Sequence, residues 1–70
     1  MTKDEIINLI KSELGKDPEQ HDDETENLIF KELQTTLKMP LDKIDEFSLL
    51  RMNSTERLMF ALNKAILSNI

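Results

Sequence analysis

Apolar residues return every three or four positions through most of this 70-residue chain, a spacing that predicts helices from end to end. Ile6, Ile7, Ile10 and Leu14 share one face of a helix predicted over residues 3–14. Thr2 stands where a cap belongs, Asp4 and Glu5 suit the positive end, and Gly15, the only glycine, is placed to end the helix. A second stripe runs through Ile29, Leu33 and Leu37 and closes near residue 38, because Pro40 pushes the residue before it out of helical geometry. Its start is open between Asp17-Pro18-Glu19-Gln20, near residue 18, and Asp23-Glu24-Thr25-Glu26, near residue 24. Extended backwards, the stripe meets Glu26, Asp22 and Glu19, so packing is expected to begin only near Leu28. Asp42 is a cap for a short third helix over 42–52, with Ile44, Phe47 and Leu50 three residues apart, and Asn53 with Glu56 launches a fourth over 54–69. Nothing alternates as a strand does. The fold class is therefore all-α: one domain, residues 1–70, built as a compact bundle of three to four short helices.

The fourth helix carries more apolar surface than one packed face uses. Leu58, Met59, Leu62, Ala65, Ile66 and Ile70 form a broad stripe, while Phe60 and Leu67 fall outside it, flanked by Asn63 and Lys64. Two arrangements account for the surplus equally well: a central helix covered on three sides, or a second seam between subunits, lined by Phe60 and Leu67 with Met59 and Ile70 beside them. Chain length favours association, since a domain of this size buries only about 60% of its unfolded surface and usually needs a supplement to its core. Cysteine is absent and His21 is the single histidine, so neither disulfides nor a structural zinc supplies it. A homodimer is the expectation.

Charge adds an asymmetry. The net charge is −5, and residues 16–27, with six acids against Lys16, account for all of it. This segment reads as a mobile, solvated acidic stretch, and Asp22, Asp23, Glu24 and Glu26 as a face for a basic protein partner. No basic stripe exists for phosphate backbones, so nucleic acid is not expected as a partner. The longest unbroken apolar run, Leu58 to Leu62, is too short for a membrane span, and the N-terminus has no signal-peptide pattern. Together with the missing cysteines this places the expected site of action in the cytoplasm.

Candidate chemistry changes the picture little. The junction at Asn53-Ser54 has the size of a helix-turn-helix, which makes a small DNA-associated regulator over residues 42–69 the alternative reading; Lys3, Lys11, Arg57 and Lys64 are the bases it would use, but the second helix presents Leu58, Met59, Phe60 and Leu62. Phe47-Ser48-Leu49 resembles the Asp-Ser-Leu that surrounds the phosphopantetheine-bearing serine of acyl carrier proteins. The resemblance spans three residues, implies modification at Ser48, and departs from the pattern where Phe47 replaces the acid. Asp17, Glu19, His21 and Asp23 imitate the start of a calcium loop, yet Asp22 stands where a glycine is needed and Leu28 where a bidentate glutamate belongs. Asp45-Glu46 and Asp22-Asp23 are paired carboxylates with no apolar cleft to raise a pKa. Met39, Met52 and Met59 suit core gaps or an adaptable groove. No cofactor, metal or catalytic set stands out. A non-catalytic regulator, adaptor or inhibitor acting by protein–protein contact is the expectation.

Overall fold

The computed structural model describes residues 1–40 and 46–69, with the side chains of residues 46 and 47 outside that description. Four helices follow one another: α1 (Lys3–Leu14), α2 (Asp23–Thr35), α3 (Glu46–Arg51) and α4 (Ser54–Leu67), with one 3-10 turn at Pro18–Gln20 between α1 and α2. No described residue lies in a strand, and no described helix is long and apolar enough to cross a membrane. Local chemistry fixes the starts. Thr2 accepts the Glu5 N–H while the Glu5 carboxylate accepts the Thr2 N–H, and Asn53 with Glu56 repeats this reciprocal cap at α4. Asp22 caps α2 by accepting the Glu24 N–H at 3.0 Å. The later of the two possible starts therefore opens α2, and the Asp17 start yields only the 3-10 turn, where Asp17 makes no side-chain cap bond.

The core joins Ile6 and Ile10 of α1, Ile29 and Leu33 of α2, Leu37 just beyond it, and Leu58, Ala61 and Ala65 of α4. The most extensive packing is between α1 and α4, which run antiparallel. At one end the Lys3 ammonium donates to the carbonyls of Ser68 at 2.6 Å and Ile66 at 3.4 Å, satisfying the last turn of α4. Ala61 and Ala65 present almost no side chain, so they let the two helices approach closely. This turns α4 away from the orientation expected from its apolar pattern. Met59 and Ile66, placed on the packed stripe by the pattern, are instead 46% and 52% exposed. Ala61 takes the central place they were assigned.

One other boundary, and the physical reason for another, differ from expectation. α2 ends at Thr35, short of residue 38, because Lys38 adopts a left-handed φ of 52° and the chain turns back so that the Met39 N–H reaches the Leu33 carbonyl. Gly15 does end α1, but in right-handed geometry with φ −72°. Its lack of a side chain is not what stops the helix; Pro18 and the restricted residue before it are. The expected third-helix cap Asp42, with Ile44, lies outside the described residues, as does Ile70.

Candidate functional site

Polar contacts absent from the sequence reading lock the α1–α2 connection to α4. Glu13 falls on the α1 stripe, three residues after Ile10 and seven after Ile6, and it is buried. Its carboxylate accepts the Asp22 N–H at 2.7 Å and pairs with Lys16 at 3.1 Å. The hydrogen bond from the Asp22 backbone holds the Glu13 carboxyl below its ordinary range, against the opposing effect of burial, with Lys16 assisting. Next in the chain, His21 Nδ1 lies 2.7 Å from Ser54 Oγ, the first residue of α4. Its Nε2 is enclosed without a hydrogen-bond partner among the described residues. Position on the helical stripe was the available signal for Glu13; for His21 and Ser54 there was none.

A second polar joint binds α2 to α4. Arg57 Nε donates to Glu26, and an Arg57 terminal nitrogen donates to the Met52 carbonyl. Glu26 is consequently buried, which corrects its assignment to an exposed acidic face and moves the start of α2 packing upstream of Leu28. Leu28 itself is exposed. Asp22, Asp23 and Glu24 remain exposed as expected, although Asp22 is also the α2 cap. A hollow of about 370 Å³ beside this joint is lined by Glu26, Leu49, Leu50 and Arg57, which puts α3 on the α2 side of α4.

The bases that DNA binding would use are mostly occupied. Lys3 holds the end of α4, Arg57 holds Glu26, and the Lys64 ammonium lies 5.3 Å above the Phe60 ring. No group of acids and histidine suited to a metal ion exists among the described residues. Ser48 lies half-buried inside α3. Met39 and Met52 are half-buried, whereas Met59 is exposed.

The apolar surplus of α4 divides into two faces. Leu67 is 77% exposed, uncovered by any described residue, and half-buried Phe60 is its neighbour; these two expected seam residues point away from α1. Met59 and Ile66 project to a different side. Both polar joints, Glu13 to Asp22 and Arg57 to Glu26, sit on the side of the α1–α4 pair that α2 covers. On the opposite side, at about 100° per residue, α1 presents Ile7 and Leu14 and α4 presents Leu62, Met59 and Ile66. The first two and Leu62 are only partly buried. By this geometry the five side chains line a largely apolar groove on that side, which exposed Thr55 shares and in which Met59 and Ile66 are exposed. The molecule is 18 Å across its thinnest dimension, two helix layers, which fits α2 packed on only one side of the pair.

Comparison of this chain with protein-family models, with curated proteins and with solved structures gives no match, so a functional reading rests on its own residues.

Proposed function

We propose that this protein is a non-catalytic regulator, adaptor or inhibitor that works by binding other protein, through the uncovered apolar groove between α1 and α4 and through an acidic edge at the start of α2. The observation that carries the reading is the exposure of Met59 and Ile66 beside Ile7, Leu14 and Leu62. In a domain this small, leaving five large apolar residues in one partly open strip costs stability that occupation of the groove would restore. Asp23 and Glu24, exposed in the first turn of α2, add a negative edge suited to a basic segment.

The test is site-specific crosslinking in cells. A photo-reactive residue at position 66 should form adducts with another polypeptide, while the same residue at Lys31, exposed on α2, should not. Changing Asp23 to Asn and Glu24 to Gln should weaken those adducts at low salt and leave them at high salt, because exposed charges are screened within about 8 Å in physiological buffer. Adducts at position 31 but none at position 66 would contradict the reading.

A further inference from the structure

We infer that the occupant of the α1–α4 groove is a second copy of this chain, related by a two-fold axis parallel to the helices, so that α1 of each subunit lies against α4 of the other and Lys11 pairs with Glu56 across the interface. The inference rests on the groove being an interaction surface and specifies what fills it.

Three observations lead there. The first is the height of the charges. Glu13 accepts the Asp22 N–H and His21 meets Ser54, so the end of α1 and the start of α4 lie at one level, and the Lys3 contacts with Ile66 and Ser68 align the opposite ends. Lys11, two residues before Glu13, therefore stands at nearly the height of Glu56, two residues after Ser54. The second is position around each helix. Lys11 lies about 40° past Ile7 on α1 and Glu56 about 60° past Met59 on α4, each beyond the outer margin of the groove and each exposed. Within one subunit they border opposite edges and make no ion pair with each other. A two-fold axis along the helices preserves height and exchanges edges. It brings Lys11 of each subunit to Glu56 of the other, twice, in the manner of the charged positions that flank a helical seam.

The third is where the remaining charge sits. The excess of acid in residues 16–27 belongs to the connection and to α2, on the far side of the α1–α4 pair. Two copies joined through the groove keep these blocks apart, whereas pairing through α2 would press them together. In this arrangement Met59 stands near the height of the partly buried Ile7 of the other α1 and Ile66 lies beyond it toward the Lys3 end, so that four helices enclose one largely apolar seam.

The experiment is light scattering on the full chain with circular dichroism as a check of folding. Wild type at a concentration on the order of 100 µM should have the mass of a dimer. Lys11→Glu and Glu56→Lys should each weaken the dimer by about tenfold or more, and the double exchange K11E/E56K should recover most of that loss. Glu56 also accepts the Asn53 N–H, so its variant weakens the α4 cap; an equimolar mixture of K11E with E56K provides the second measurement, in which both charge contacts of the mixed dimer are attractive again, one native and one reversed. Leu67→Glu should leave the dimer mass unchanged. A monomeric wild type would overturn the inference while leaving the crosslinking test of a different protein partner intact. A dimer insensitive to both single reversals, or lost in L67E, would overturn it in favour of the Phe60–Leu67 side.

Discussion

Glu26 and Arg57 show how a single contact changes what a stretch of sequence means. By composition Glu26 belongs with Asp22, Asp23 and Glu24; in the fold its carboxylate is buried and held by a guanidinium from α4. Removing one partner strands the other, so Arg57→Ala should destabilise the protein by about 2 to 3 kcal/mol in denaturant titration, at or below the lower limit for fully buried pairs because Arg57 is partly exposed. Adding Glu26→Gln to that variant should cost little more, and strict additivity of the two would contradict the contact. Glu13 makes a statement about pH. Its folded value lies below the ordinary 4.5, so its contribution is complete above 4.5 and is lost as pH falls from there through the depressed value. Acid unfolding followed by circular dichroism should be steeper in wild type than in Glu13→Gln, and that variant should cost about 1 to 2 kcal/mol at neutral pH. Identical acid limbs would remove Glu13 from the account.

At the scale of elements, the sequence was most legible where a cap coincides with a periodic stripe. Both reciprocal caps, Thr2 with Glu5 and Asn53 with Glu56, and the limits of α1 follow from that agreement. The end of α2 was not legible, because a left-handed lysine carries no compositional mark of the kind glycine does. Lys38→Gly should raise stability by up to about 1 kcal/mol, since the strain of φ 52° disappears, and a loss of stability would mean that the Lys38 side chain itself contributes. The rotation of α4 was illegible for a related reason: hydropathy weights Met59 and Ile66 above Ala61, whereas close packing against α1 selects the smallest residues. Among the candidate interface residues, the apolar pattern puts exposed Met59 on the packed stripe, whereas the charge pattern placed Asp23 and Glu24 at the surface. It misassigned Glu26, whose partner lies 31 residues away. The cap role of Asp22 separates it from its neighbours too: Asp22→Ala should cost about 1 kcal/mol, while Asp23→Asn with Glu24→Gln should change stability by no more than about 0.5 kcal/mol.

For the whole molecule, the decisive feature is that one side of the α1–α4 pair is closed by α2 and the other presents apolar side chains bordered by Lys11 and Glu56. The same organisation leaves few bases for nucleic acid, since Lys3 and Arg57 are committed within the fold. Binding to random duplex DNA should be undetectable at physiological salt in a mobility-shift assay, and sequence-selective sub-micromolar binding would reinstate the helix-turn-helix alternative. The most direct measurement of the central claim needs no substitution. With methyl-labelled protein and a soluble paramagnetic agent, relaxation enhancement at Ile7, Met59 and Ile66 should fall as the protein is concentrated from dilute to dimer-forming conditions, while Leu50 and Leu67 keep theirs. Protection that appears at Leu67 and spares Met59 and Ile66 would contradict the account, as would enhancement that stays constant at every methyl.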